Sequence, residues 1–381
     1  MPSARPPPAM SLISVFALSA ALHFYIGVRL VPALPPAAGW VFAAWLLASA
    51  VLVPAGLLAR RVIRMRGPAA DRLTWVGMLA MGLFSSLLVL TLLRDAALLV
   101  LAFAGGPHVA RASGEAVVLV ALGLTAIGFL NARLPARVKR VAVPLPGLPP
   151  ALAGFRIVQI SDIHVGPTIK AAYLQAIVDR VNALEPDVVA ITGDLVDGAV
   201  AELRDHVAPL ADLRARHGVF FVTGNHEYYS GVHGWMAELQ RLGIRVLHNE
   251  HVVLQHEGAS LVLAGVPDYG GHHFDPAHRS DPAAALAGAP EGAPRILLAH
   301  QPRSAPAAAQ AGFDLQLSGH THGGQFLPWT WFVPLQQPYT AGLHQLGRLW
   351  VYVSRGTGYW GPPKRIGAPS EIAELRLATS A

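Results

Sequence analysis

Residues 315–325 read Leu-Gln-Leu-Ser-Gly-His-Thr-His-Gly-Gly-Gln, a short apolar run that ends on two histidines with a single residue between them. A run of this length, bounded by turn residues, predicts a buried strand at Leu315–Leu317. The same grammar recurs upstream. Phe155–Ile160 is followed by Asp162 and His164, Asp187–Ile191 by Asp194, Val219–Val222 by Asn225 and His226, and Ile296–Leu298 by His300. Helical spacing falls between and after these runs, at Ala171–Leu184, around Val200–Leu213 and at Trp235–Leu242, and further short runs stand at Leu261–Ala264 and Leu349–Val353. The pattern is α/β early and strand-rich late. In open α/β sheets, ligands collect beyond the carboxyl ends of the strands. One buried histidine is usually a satisfied core residue, but Asp, Asn and His at successive strand ends predict one polar cluster.

Carboxylate, carboxamide and imidazole donors suit zinc, manganese or iron, and the same donor set accepts any of them. Asp162, His164, Asp194, Asn225, His300, His320 and His322 are more donors than one tetrahedral ion needs. A carboxylate can bridge two ions, and Asp194 is central in the series, beside Gly193, whose missing side chain permits close approach. Two ions roughly 3.5–4 Å apart can share a hydroxide and polarise a phosphoryl oxygen, which suits in-line attack on phosphorus.

In order, Ser-Asp162-Ile-His164, Gly193-Asp194-Leu-Val-Asp197, Gly224-Asn225-His226-Glu227, His300 and Gly319-His320-Thr-His322 form a signature that resembles the calcineurin-like metallophosphoesterases. The resemblance runs from about Phe155 to Gly361. Gly319–Gln325 and Val353–Gly358 look like the bacterial membrane-associated branch, and animal transmembrane proteins with such a domain are also similar. The resemblance implies a four-layered αββα sandwich. It further implies that Asp162, His164 and His322 bind one metal, that Asn225, His300 and His320 bind the other, and that Asp194 bridges them. His226 would approach the leaving-group or phosphoryl oxygens as general acid or electrostatic stabiliser; alternatively it holds Asn225 or a loop in place. Glu227 stands where many members have Asp. Asp197 reads as support for the loop after Asp194, and His233 and His248 match no role. His272 and His273, in the loop after the Leu261 strand, are candidates to line the substrate mouth, as is Asp268, and Arg355 is a candidate phosphate contact or a structural cap.

The chain has 381 residues, 53% hydrophobic and 14% charged, and the excess is uneven. The long apolar runs lie before Arg133 and nearly all Asp, Glu and His after it. A bilayer core needs roughly 20 apolar residues as helix. Residues 10–31, 37–58, 73–93 and 116–132 meet or approach that length, which predicts a transmembrane region over 1–134 with four spans, the first uncleaved. The apolar run after Arg94 and Asp95 reads as a re-entrant or interfacial piece. Residues 135–151 read as a linker, its Val141–Pro150 part proline-rich and extended, and 152–381 as the phosphoesterase domain. Arg60, Arg61, Arg64, Arg66 and Arg72 after the second span, and Arg133, Arg137, Lys139 and Arg140 after the fourth, place both segments in the cytoplasm by the positive-inside rule. With the bacterial resemblance, this gives a multi-pass inner-membrane protein with a cytoplasmic catalytic domain.

The formal charge of +6 does not point to nucleic acid, because its basic residues cluster beside apolar segments and no zinc-finger spacing or aromatic-interleaved basic stripe occurs. With no cysteine, disulfides and thiolate chemistry are excluded. The membrane spans make the bilayer a partner and a phospholipid or lipid-linked envelope intermediate the first substrate class, beside soluble phosphate compounds. Phe326, Trp329, Trp331 and Phe332, directly after the paired histidines, read either as sandwich packing or as a loop resting on lipid, and Tyr359 and Trp360 admit the same two readings. Two other readings are a membrane sensor or scaffold that binds metal without turnover, and a transporter with a regulatory hydrolase domain. The second conflicts with the lack of charge inside the spans.

Overall fold

Four apolar helices open the chain: α1 (Leu12–Leu30), α2 (Pro36–Leu58), α3 (Gly67–Phe103) and α4 (Ala110–Arg133). The computed structural model describes residues 12–59, 65, 67–103 and 109–379; Arg60, Arg61, Arg64 and Arg66 lie outside them. All four helices are long and apolar enough to cross a membrane. Ile26, Leu30, Leu46, Leu87, Val117 and Ala121 form their shared core. Helices α2 and α3 cross at Gly56 and Gly77, where a Cβ on Gly77 would lie 2.5 Å from the Leu52 carbonyl oxygen. Small residues of this kind let membrane helices approach backbone to backbone.

The run after Asp95 is no separate re-entrant piece. It continues α3, whose 37 residues measure about 55 Å. The Arg94–Asp95 pair does not break the helix because its charges are answered by neighbours. Asp95 accepts from Arg29 (2.7 and 2.9 Å) and from the Tyr25 hydroxyl (2.7 Å), and Arg94 donates to Ser113 Oγ (3.0 Å) and the Ala110 carbonyl (2.8 Å). These partners sit at the last turn of α1 and the first of α4, so the ionic cluster marks a bundle end.

The second unit, from Phe129 onward, holds two six-stranded sheets. The strands are β1 (Arg137–Leu145), β2 (Arg156–Ile160), β3 (Val188–Ile191), β4 (Val219–Phe221), β5 (Arg245–Val246), β6 (Glu250–His256), β7 (Ala259–Gly265), β8 (Arg295–Leu298), β9 (Leu315–Ser318), β10 (Gly342–Leu346), β11 (Leu349–Val353) and β12 (Glu371–Thr379). Their helices are α5 (Ala171–Asn182), α6 (Val200–Val207), α7 (Asn225–Ser230), α8 (Val232–Arg241), α9 (Pro282–Ala285), α10 (Ala305–Ala311) and α11 (Trp329–Phe332). One sheet runs β1-β12-β2-β3-β4-β5 and the other β10-β11-β9-β8-β7-β6. The helix expected over Val200–Leu213 stops at Val207 and tightens into a 3-10 turn at Ala208–Asp212, since Pro209 has no N–H to continue the α ladder.

Alternation along the strands sorts the core into layers. Ile157, Val188 and Phe220 point to one side and meet Leu261, Leu263, Ile296, Leu315 and Leu317 of the other sheet. Val158, Ile160, Val189 and Ile191 point the other way, onto Leu174, Ile177, Leu203 and Leu239 of α5, α6 and α8. Leu297, Val351 and Val353 of the second sheet pack against Ala305 and Ala308 of α10. The order is helices, sheet, sheet, helices: the αββα sandwich that the family resemblance implies. Both sheets are therefore buried on both faces, which is why their strands read as continuous apolar runs.

Much of the segment expected as a linker is structured. Residues 137–145 form β1, an edge strand paired in parallel with β12 from Arg137↔Glu371 to Leu145↔Thr379. Proline is tolerated on an edge strand, so Pro144 sits in register opposite Ala378. A fragment starting at Val141 loses four rungs of this ladder and the Arg140–Glu374 ion pair (2.9 Å). Relative to a fragment starting at Leu134, it is expected to be about 2–3 kcal/mol less stable, a fall of roughly 5–10 °C in melting temperature by circular dichroism.

Candidate metal centre

Six of the seven donors read from the sequence lie in loops just past strand ends and are brought into shared ligand groups by the fold, and the seventh, Asn225, opens α7 next to His226. Asp162 and His164 follow β2, Asp194 follows β3, Asn225 opens α7 after β4, His300 follows β8, and His320 and His322 follow β9. The loops are laced to one another by backbone bonds: Asp162 N–H donates to the Gly193 carbonyl (3.0 Å), His164 N–H to that of Asp194 (3.1 Å), and Gly319 N–H to that of His300 (2.9 Å). Nine non-glycine residues adopt positive φ among the described residues, and five of them are Asp162, His164, Asp194, His320 and His322. Each such residue costs about 1–3 kcal/mol and is retained where surrounding structure imposes it, typically at a functional site.

Glycine makes the convergence possible. A Cβ on Gly224 would lie 2.2 Å from Asp194 Oδ1, and one on Gly319 would lie 2.2 Å from Asp162 Oδ2. Gly193, the residue singled out for close approach, has φ +86° and runs directly beneath Gly224, where its own Cβ would come within 2.6 Å of the Gly224 nitrogen.

Donor atoms face each other at the spacing of coordination polyhedra. Adjacent ligands around a tetrahedral ion with bonds near 2.0 Å are about 3.3 Å apart. His164 Nε2 is 3.0 Å from His322 Nε2, which is 3.6 Å from Asp162 Oδ1. His300 Nε2 is 3.2 Å from both Asp194 Oδ2 and His320 Nδ1. Asp194 Oδ2 also looks toward His164 Nε2 (4.0 Å) and His226 Nε2 (3.9 Å), while its Oδ1 accepts the His226 N–H (2.9 Å). Two groups of three can each hold an ion, Asp162–His164–His322 and Asp194–His300–His320, and a third, His164–Asp194–His226, lies between them. Asn225 Oδ1 is buried with no hydrogen-bond donor, the state of a carboxamide oxygen awaiting a cation.

The electrostatics agree with a cation there. Burial lowers the His320 imidazole, with the His300 charge, to about 3, and burial with His164 and Arg365 holds His322 well below the usual histidine range. Both imidazoles are therefore held neutral. Burial opposes charge on His300 as well, but Asp194 overcomes it and raises His300. His300 Nδ1 donates to the Thr192 carbonyl (2.7 Å), which leaves Nε2 facing the cluster. Burial raises the Asp162 carboxyl, whereas His300 and His226 hold Asp194 well below the carboxylate range against the same burial.

Several supporting residues have roles that sequence reading missed or saw in part. The Asp197 carboxylate accepts from His226 Nδ1 and stands 3.3 Å from His164 Nδ1, backing two imidazoles at once. It supports the site, as expected, by aligning rings. Glu227, buried, accepts four backbone N–H groups: Leu195 (2.8 Å) and Val196 (3.3 Å) on Oε1, Asp194 (3.0 Å) and Gly224 (2.7 Å) on Oε2. Burial and then the Asp194 charge raise its carboxyl, but with both oxygens occupied by N–H pairs there is no acceptor for a carboxyl proton. Arg365, fully buried, donates to the carbonyls of Gly358 (2.5 and 2.9 Å), Ala368 (2.9 Å) and His322 (3.4 Å), tying the loop of the second metal-facing histidine to the last strand crossing. The only sequence signal for these roles was the spacing of Asp197 and Glu227 within their motifs.

Among the described residues, His272 and His273 belong to none of the candidate metal groups. The His272 and His273 rings lie 4.0 Å apart, tilted by 40°, in a 3-10 turn, half-buried and exposed respectively. Arg355 lies 3.6 Å from Glu371, which also accepts its backbone N–H, in keeping with the structural reading. Asp268 is buried behind His300 and accepts from Gln301 (2.8 Å). Of the aromatic stretch, Phe326 is buried, but Trp329, Trp331, Phe332 and Leu335 are 43%, 54%, 48% and 79% exposed, so packing accounts for only its first residue.

A sandwich with this constellation at its strand ends defines a class of metal-dependent phosphoesterases. Residues 155–324 match the calcineurin-like phosphoesterase family. The chain is 45% identical over 272 residues to a bovine "Transmembrane protein with metallophosphoesterase domain", covering 68% of this chain and 61% of that one. It is 39% identical over 264 residues to an "Uncharacterized metallophosphoesterase" of Helicobacter pylori, covering 68% of each, and 33% identical over 244 residues to one of Aquifex aeolicus, covering 63% of this chain and 91% of that one. The chain thus belongs to the calcineurin-like phosphoesterase family. It spans about three fifths of the length of the bovine relative.

Glu227→Gln replaces one acceptor oxygen with an amide that confronts two backbone N–H groups. This is expected to cost about 2–4 kcal/mol and to loosen the Asp194 loop, read as a lower melting temperature and weaker retention of metal on dialysis.

Proposed function

We propose that this protein is a membrane-anchored phosphoester or pyrophosphate hydrolase that works with two transition-metal ions of the manganese, zinc or iron class. Asp162, His164 and His322 would hold one ion, and Asn225, His300 and His320 the other. The observation that carries this reading is the position of the buried Asp194 carboxylate, which shares its donor face with both sets. When bound, such ions supply Lewis-acid polarisation of the phosphoryl oxygen and a hydroxide nucleophile at neutral pH.

The protein residues do the rest. His226 is held by Asp197 through Nδ1, so its Nε2 is turned to the Asp194 side of the cluster, where it can carry a proton for the departing oxygen or stabilise the phosphoryl charge. The left-handed backbone at five donors fixes their directions before substrate arrives, which reduces reorganisation during the reaction. Asp194→Asn is expected to lose metal and turnover together, with hydrolysis falling at least about a thousandfold. Metal content by plasma mass spectrometry, with a panel of phosphomonoesters, diesters and pyrophosphates, checks this, and full activity in the variant would overturn the shared-ligand assignment.

For substrate, the reading favours a phospholipid or lipid-linked phosphate at the bacterial inner membrane, with the domain on the cytoplasmic side. Four apolar helices and the exposed Trp329, Trp331, Phe332 and Leu335 support it, because tryptophan favours the membrane–water interface. The arginines and lysine that follow the second and fourth helices support the orientation. Joint Trp329→Ala and Trp331→Ala substitution is expected to reduce turnover of a lipid phosphate in vesicles about tenfold, while leaving a soluble aryl phosphate within twofold. Equal rates on vesicles in the two proteins would remove the aromatic loop from lipid recognition.

A further inference from the structure

A second group of imidazoles and carboxylate lies outside the centre described above. His233 in the first turn of α8, Asp275, and His278 at the end of a 3-10 turn present ligand atoms within 4.8 Å of one another. His233 Nε2 is 3.2 Å from Asp275 Oδ2, and His278 Nε2 is 3.8 Å from the same oxygen. The first matches the roughly 3.3 Å edge of a tetrahedral zinc site, and the second exceeds it by about 0.5 Å.

The remaining atoms of each group are already assigned. Asp275 Oδ1 accepts the Ala277 N–H (2.9 Å) as the cap of the 3-10 turn, so Oδ2 is the oxygen left to face the two imidazoles. His278 is buried and its Nδ1 lies 2.8 Å from the Tyr228 hydroxyl, a bond that leaves Nε2 pointing at Asp275. A hydrogen bond on the far nitrogen is the usual means of orienting a metal-ligating histidine. The His248 ring packs edge-on against His278 at 4.2 Å and walls the site on that side.

From this geometry we infer that His233, Asp275 and His278 form a separate site for a single zinc-class divalent ion. Three protein donors of the His-Asp-His kind leave one position for water. The ligands come from two segments, α8 and the loop at 275–278, so the ion acts as a clip between them. The loop also carries Phe274, whose ring meets Tyr229 at 5.6 Å, and Tyr229 meets His226 at 5.3 Å. The clip therefore holds a wall of the candidate catalytic mouth in place without touching the reacting atoms. It goes beyond the hydrolase reading and does not depend on how many ions the main centre takes.

The test compares zinc content by plasma mass spectrometry in the full chain, loaded with zinc and exchanged into metal-free buffer, with and without His233→Ala. His233 is exposed, so its removal leaves the core intact. The variant is expected to hold one zinc ion fewer than its parent. The same loss of one ion is expected when both proteins also carry Asp194→Asn, which separates this site from the main centre. Limited proteolysis within 271–281 should be faster in His233→Ala than in its parent, and chelation should bring the Asp194→Asn parent to the rate of its His233→Ala version. Equal zinc content with and without His233 in both backgrounds would overturn the site and leave only a His233–Asp275 ion pair.

Discussion

The structure is organised around a packing problem: two carboxylates and four imidazoles are turned toward one another in the interior with too few hydrogens between them. Two imidazole nitrogens stand 3.0 Å apart, a carboxamide oxygen is buried without a donor, and two carboxylates share the space. In an apoprotein this arrangement is costly, because buried polar groups without partners lose several kcal/mol of solvation each. Everything nearby pays toward keeping it. Left-handed backbone at five donors, glycine at the contacts beneath Asp194 and Asp162, and the four amides gathered by Glu227 are all consequences of forcing these loops together. The two sheets matter to function mainly because their strands end at one edge.

The donors were legible in the sequence because each stands within a few residues of an apolar strand, and a strand's direction fixes where the next residues go. The αββα layering was less directly readable; continuous runs such as Val188-Val-Ala-Ile191 say that both faces are covered, and the family resemblance supplied the rest. What the sequence hid were contacts made across the chain by side chains to backbone. Glu227 looked like a neighbour of His226, yet three of its four partners lie about thirty residues earlier, and nothing local announces that a carboxylate will collect four amides. Arg365 is hidden for a related reason: most of its acceptors are carbonyls, which every residue has, and its side-chain acceptor, His322 Nδ1, stands far away in the sequence. The His233–Asp275–His278 group is assembled from segments with no shared spacing, so its members read as unrelated polar residues.

Two readings failed because composition was taken as a local signal. Four prolines in Val141–Pro150 suggested a free linker, but an edge strand needs its N–H groups on one side only, and β1 accommodates Pro144. The apolar run after Arg94 and Asp95 suggested a separate re-entrant or interfacial piece, yet a helix continues through a charge pair whose partners are supplied by neighbouring helices, and Arg29, Tyr25 and Ser113 do so. In both places tertiary partners, absent from the local sequence, decided the outcome.

The strand order has a consequence for biosynthesis. β1, which follows directly from the fourth apolar helix, reaches the rest of its sheet only through β12, and β12 is made after every other strand. While the ribosome is still working, the stretch leaving the membrane segment has no sheet partner, and β2 is an exposed edge. Formation of the apolar helices and completion of the sandwich are thereby separated in time: the helices are made well before the strand that pairs β1 with its sheet emerges. During that interval the unpaired edge of β2 is open to incorrect pairing, and protection of that edge is a requirement on folding in the cell.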